Sequence, residues 1–333
     1  MRGKKNRAMK FSTIGTSWIT EMFIQAAKLS GKAKLLSVYS RNEETAKSFA
    51  EKNNAEKWYN LLDEMLQDDT DFVYIASPNI LHYEHVMKCI QSEKHVFCEK
   101  PMAFTQMQVK KIREEAIKYG VYVFEGYRHL FSPNYEILKN TIEQIGEIRS
   151  VFLQYIQYSS RYDAYKEGKQ PNIFSKEFAG GALMDLGVYP LSAAIDLFGD
   201  PEDIHYFPVL LTNGIDGSGT LVLKYKGFNV TIMCSKVAQG TIPSEIQGED
   251  GTITIDHIAP IHDITIYNRL TKEKKQLAQS QLELDMVYEI EVFTRLIAEN
   301  DSNSFHKWMD RSESVAKWTE KVRHDNNILF LGE

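Results

Sequence analysis

Between residues 9 and 125 short apolar runs alternate with longer amphipathic ones, and this alternation restricts the chain to few architectures. The apolar runs are 10–15, 33–39, 72–76, 95–98 and 121–124, and helical patterns fall near 19–30, 43–53, 60–67, 80–92 and 104–119. Strands alternating with helices predict a parallel, doubly wound sheet covered on both faces. The run Asp71-Phe72-Val73-Tyr74-Ile75-Ala76 lacks period-two alternation, as a strand buried on both faces does.

After Pro133 the rhythm changes. A helix at about 134–144 leads into 148–158, which is long, β-branched and aromatic. Strand patterns follow at 219–225, 228–235, 244–247 and 252–256. The first two join at Lys226-Gly227 and the last two through Gly248-Glu249-Asp250-Gly251, which are hairpin connections. Helical patterns near 176–198, 282–299 and 308–322 supply cover for one face. A chain of 333 residues suits two domains.

Other features narrow the function. The net charge of −6, with no basic stripe, argues against nucleic acid as a partner. No apolar run approaches the length that spans a bilayer, and no membrane partner is expected. Cys89, Cys98 and Cys234 have neither metal-ligand spacing nor an obvious pairing, so no metal is expected and a reducing cytoplasm is. Residues 1–8 read as a disordered lead-in, with Met9 an alternative start.

The first strand runs into Gly15-Thr16-Ser17-Trp18-Ile19-Thr20, the place of a dinucleotide-binding turn, where helix N–H groups meet a pyrophosphate. Ser17 and Thr20 stand where the second and third glycines usually stand, so an ordinary strand–helix turn also explains the segment. The second strand ends at Ser40-Arg41 without the acid that holds a ribose 2′-hydroxyl. Arg41 can instead pair with a 2′-phosphate, which favours NADP with NAD the alternative. A surface arginine opening a helix is the other reading.

Two consecutive strands then end in polar, proline-containing turns: Ser77-Pro78-Asn79 with His82, and Glu99-Lys100-Pro101. Ligands bind beyond the carboxyl ends of such strands, so both turns should face the cofactor. Lysine gains nothing by ending a buried strand unless something polar is there. Further on, Asp185 and Tyr189 in Gly180-Gly181-Ala182-Leu183-Met184-Asp185-Leu186-Gly187-Val188-Tyr189 are four apart and share a face on a regular helix. A carboxylate and a phenol there suit binding a hydroxylated substrate and moving a proton; a capped helix with a half-buried tyrosine is the plainer account.

These three motifs, in order and spacing from about Lys10 to Gly251, resemble the Gfo/Idh/MocA oxidoreductases. The resemblance implies an α/β Rossmann domain with a parallel doubly wound sheet at 9–125. It implies a C-terminal α+β domain with a mainly antiparallel open sheet at 126–333, for substrate binding and dimerisation. It implies NAD(P)-dependent hydride transfer at a hydroxyl or carbonyl carbon of a sugar, polyol or dihydrodiol. Lys100 would lie beside substrate and nicotinamide, Asp185 would orient the substrate, and Tyr189 would be the acid/base. Tyrosine at that last position, where many members have histidine, is similar to the glucose–fructose oxidoreductase and dimeric dihydrodiol dehydrogenase branch. Tyr127, Arg128, His129, Tyr158 and Arg161 are expected near the pocket, and Tyr155, Tyr162 and Tyr165 in sheet packing or subunit contact. A homodimer or homotetramer joined through the open sheet is expected. A non-catalytic dinucleotide-binding regulator is the competing reading, favoured by the degenerate glycine turn and opposed by Lys100, Asp185 and Tyr189 together.

Overall fold

The computed structural model describes residues 7–331 and 333; residues 1–6, which hold most of the expected lead-in, lie outside the described residues. By contacts the chain forms two compact units. The first holds residues 7–103, 107–126 and 282–310; the second holds Phe104–Gln106, Tyr127–Gln281 and the described residues from Arg311 on.

The first unit is built on β1 (Met9–Ile14), β2 (Ala33–Tyr39), β3 (Lys57–Tyr59), β4 (Phe72–Ile75), β5 (His95–Glu99) and β6 (Val123–Gly126). All pair in parallel in the order β3-β2-β1-β4-β5-β6. Helices α1 (Trp18–Ser30), α2 (Glu43–Asn53), α3 (Leu62–Met65), α4 (His82–Gln91) and α5 (Gln106–Tyr119) alternate with them. The chain winds outward from β1 to β3 and then returns to the other side of β1. Strand order therefore reverses between β1 and β4, and in such sheets ligands bind beyond the carboxyl ends of the strands at this switch point.

The second unit carries β7 (Ile148–Ile156), β8 (Asp203–Leu210), β9 (Asp216–Tyr225), β10 (Phe228–Ser235), β11 (Ser244–Gly248), β12 (Gly251–Ile255), β13 (Ile264–Asn268) and β14 (Lys274–Gln276). They form one sheet in the order β14-β13-β12-β11-β7-β10-β9-β8, antiparallel except for β7 beside β10. Burial alternates along its strands. Ile204, Leu221, Leu223, Val230, Ile232, Val151, Leu153, Ile246 and Ile253 are buried on one face, while Phe207, Val209, Met233 and Tyr267 stand exposed on the other. The helices here are α6 (Pro133–Thr141), α7 (Tyr162–Lys166) and α8 (Val188–Phe198), followed along the chain by α9 (Met286–Glu299) and α10 (Ser302–Asp325).

Two elements depart from the sequence reading. The stretch 176–198 is not one helix: a 3-10 turn at Lys176–Phe178 and the Gly180-Gly181 break precede a π-turn at Leu183–Gly187, which runs into α8. This stretch is apolar enough to count as a candidate membrane span, yet 89% of its most apolar window is buried inside the protein, so it serves as core. Helix α9 packs with the first unit, not with the second as a single boundary at 125/126 would have it. The reason is Phe293, fully buried with ring centroids 5.2, 5.4 and 5.5 Å from Phe72, Phe97 and Phe124. A parallel sheet must be covered on both faces, and a late helix completes one of them.

Candidate active site

In the first unit, Gly15 follows β1 at φ +112°, and a Cβ there would lie 2.5 Å from the carbonyl oxygen of Ala76, the residue after β4. Only glycine fits, because the chain turns in a left-handed conformation against a neighbouring backbone. The next two motif positions make no such demand. Ser17 sits at φ −85°, ψ 173° as the N-cap of α1 without a side-chain cap, and Thr20 is fully buried in the helix. The turn is thus open to a ligand oxygen at a helix N-terminus, with Thr16 and Ile19 half-buried and Trp18 exposed. That geometry fits a dinucleotide despite the missing glycines. Ser40 is half-buried and Arg41 exposed just past β2, where Asn42 caps α2 by accepting from the Thr45 N–H at 2.8 Å.

The two polar turns beyond β4 and β5 are tied together by His82. Its Nε2 lies 2.7 Å from the Ser77 carbonyl and its Nδ1 2.8 Å from the Pro101 carbonyl, and the ring is buried. Burial lowers its pKa while the two carbonyls oppose that. His82 thus braces the two turns that are expected to face the cofactor. Ser77 Oγ lies 2.9 Å from His85 Nδ1, and burial pushes His85 down to about 4, so that ring is neutral near pH 7. Pro78 precedes a short 3-10 turn, Asn79–Leu81. Glu99 accepts from the hydroxyl of buried Tyr74 at 2.7 Å, so its carboxylate anchors the strand end that carries Lys100. Lys100 itself is half-buried in the turn.

In the second unit Asp185 occupies the π-turn, one third exposed, and is paired with Lys236, whose side chain is 2% exposed. Both line a cavity of about 260 Å³ with Gln157, Tyr158, Ser159, Ser160 and Leu186. Tyr189 lies in the first turn of α8, mostly buried, its ring 5.3 Å from Tyr155 and 5.0 Å from His129. His129 Nε2 lies 3.0 Å from the Tyr189 carbonyl, which Ser192 Oγ also donates to at 2.9 Å. Asp185 lies within the π-turn and Tyr189 in the first turn of the α-helix that follows it, so the two do not share one regular α-helix.

Of the other expected pocket residues, Tyr158 lines the Asp185 cavity and donates to Asp163 at 2.8 Å. Arg128 acts electrostatically on His257, whose ring packs 4.5 Å from Tyr155. Tyr127 is buried, with the Arg311 guanidinium 5.8 Å from its ring, and Arg161 is exposed ahead of α7. Tyr162 and Tyr165 stack on each other and against Phe174, as packing residues do.

Sequence reasoning missed Lys236 and Asp216. Lys236 follows the apolar strand β10, the same signal that singled out Lys100 after β5. Asp216 is fully buried, accepting from the Leu183 N–H and the Tyr206 hydroxyl, each at 2.7 Å; burial pushes it up to about 6. It braces the backbone at the start of the π-turn.

Comparison with known proteins agrees with this geometry. Residues 9–127 match the oxidoreductase family with an NAD-binding Rossmann fold, and residues 137–254 match the GFO/IDH/MocA C-terminal domain. The chain is 40% identical to a scyllo-inositol 2-dehydrogenase (NADP(+)) of Bacillus subtilis, over 97% of this chain and 98% of the relative. It is 30% identical to a trans-1,2-dihydrobenzene-1,2-diol dehydrogenase of Xenopus tropicalis over 67% of each. A solved levoglucosan dehydrogenase in complex with NADH and levoglucosan shares the fold, with TM-score 0.85 and 18% identity over 96% of this chain and 97% of that one. Two successive family domains and full-length similarity to a named dehydrogenase make this chain a member of the Gfo/Idh/MocA family of nicotinamide-dependent oxidoreductases.

Proposed function

We propose that this enzyme interconverts a secondary hydroxyl and a ketone on a polyol or sugar, with NADP as its carrier and NAD the alternative. The observation that carries the reading is full-length similarity to an NADP-dependent inositol dehydrogenase, 40% identical, in a chain whose Asp185 lines a polar cavity. A bound nicotinamide supplies the hydride acceptor. Asp185 accepts a hydrogen bond from a substrate hydroxyl, Lys100 donates one to the reacting oxygen, and Tyr189 takes the hydroxyl proton or returns it.

The test is turnover on a panel of cyclic polyols and sugars with NADP, scyllo-inositol first, together with Tyr189→Phe and Lys100→Met. General acid–base help is worth roughly two to four orders of magnitude in rate, so each variant should lose about that much while keeping NADPH affinity. If the two residues serve one step, the double variant should be little worse than either single one. Near-normal turnover in Tyr189→Phe refutes the acid/base role, and a wild-type protein that binds NADPH but turns over no panel member points to a regulator. A homodimer or homotetramer in the cytoplasm completes the reading, supported by the exposed apolar sheet face and three buried free cysteines.

A further inference from the structure

Lys236 is the residue that neither the motifs nor the proposed chemistry accounts for. Its backbone is pinned just past β10, where its N–H donates to the Gly217 carbonyl and its own carbonyl accepts from the Ser159 N–H, both at 2.9 Å. The side chain leaves that fixed point and reaches the π-turn, where its ammonium pairs with Asp185 and lies 5.2 Å from the centre of the Phe174 ring. A lysine side chain 2% exposed is rare, because an ammonium loses its hydration on burial and must be compensated by a specific partner. Here the partner is the one carboxylate that lines the cavity, and Asp185 keeps one third of its side chain open to solvent while the lysine beneath it keeps almost none.

The arrangement has a direction: of the two side chains at the cavity, the anion is the more open and the cation the more buried. Asp185 lies within the π-turn, and the buried ammonium is paired with its carboxylate there. Asp216 lies near enough for its ionisation to respond to the same ammonium, but it is fully buried and spends its acceptor capacity on Leu183 and Tyr206.

We propose that Lys236 is a positioning residue that fixes the Asp185 carboxylate in the cavity, in the orientation that accepts a hydrogen bond from a substrate hydroxyl. The structural half of this stands on the ion pair alone; the substrate half rests on the function proposed above. An uncharged hydroxyl bound by a fixed carboxylate loses that bond when the carboxylate is free to turn. Substrate affinity should then suffer more than the hydride step.

The experiment compares wild type, Lys236→Met, Lys236→Arg, Asp185→Asn and the double variant Lys236→Met/Asp185→Asn. Thermal melts and NADPH titrations establish that each protein is folded. Crystal structures of wild type and Lys236→Met should show the Asp185 side chain turned away in the variant. An Asp185 that has not moved overturns the proposal, even in a protein that oxidises no polyol. On a substrate that wild type turns over, Lys236→Met should raise KM roughly tenfold or more, with a smaller change in kcat and NADPH affinity kept. Lys236→Arg, which keeps the charge, should recover part of that loss. The double variant should be no worse than Asp185→Asn alone. Losses that multiply, or an unchanged KM in folded Lys236→Met, overturn it. If Lys236→Met does not fold, the Arg variant decides: an unchanged KM with a displaced Asp185 overturns the proposal, and a raised KM with that displacement supports it.

Discussion

Arg41 stands exposed immediately after β2, and residues 39–42 contain no carboxylate. An acid at this place would accept from a ribose 2′-hydroxyl and repel a 2′-phosphate; a guanidinium does the reverse. A hydrogen bond to a charged group is worth roughly 1.5–3 kcal/mol, which is about a ten- to hundredfold change in affinity. Arg41→Ala should therefore weaken NADPH binding by that factor and leave NADH nearly unchanged, as intrinsic-fluorescence titration would read. Unchanged preference removes the assignment. Asp216 makes a different kind of prediction. Its carboxyl is pushed up to about 6 by burial, from an ordinary value of roughly 3.9. A group whose value is raised in the fold adds stability while it is protonated. That contribution is full below about pH 4 and is lost as pH climbs through about 6. Asp216→Asn stays neutral and keeps an acceptor for the Leu183 N–H. Relative to wild type it should gain about 2–3 kcal/mol between pH 4 and pH 7 in denaturant melts; parallel stability curves would contradict this.

At the scale of elements, the strands that the sequence announces are the long apolar ones at the centres of their sheets. Those it conceals are mostly edges. β3 has three residues, β14 is Lys274-Lys275-Gln276 with no apolar side chain, and β8 contains Pro208, which argues against a strand except at an edge. All three close the margins of their sheets. The π-turn was illegible for another reason: it inserts a residue into an otherwise helical pattern, and no residue type marks that insertion. Lys100, Asp185 and Tyr189 were visible because their motifs are local. Lys236 was not, since its meaning depends on Asp185, 51 positions away. Helix α9 belongs to the same class of hidden partner. Phe293→Ala removes a fully buried ring that touches three sheet phenylalanines, and should cost about 3–5 kcal/mol in a denaturant melt. A loss under 1 kcal/mol would show that α9 does not hold the sheet.

For the whole molecule, the C-terminal sheet leaves Phe207 at 64% and Val209 at 60% exposure on β8, with Met233 and Tyr267 on the same face. Exposed apolar side chains on this face are the basis for the proposed self-association. Light scattering at micromolar concentration should show a dimer or tetramer, and Phe207→Lys with Val209→Lys should shift it towards 38 kDa monomers. A wild-type protein found only as monomer overturns this.

The same chain order that hides α9 from sequence reading governs how the protein is made. The first unit has its six strands by residue 126, but the ring that seals Phe72, Phe97 and Phe124 is Phe293. Residues 127–281 must leave the ribosome first, and at ordinary translation speeds that takes on the order of ten seconds or more. Throughout that interval the nascent sheet carries an open aromatic face, a natural binding surface for a chaperone and a hazard without one.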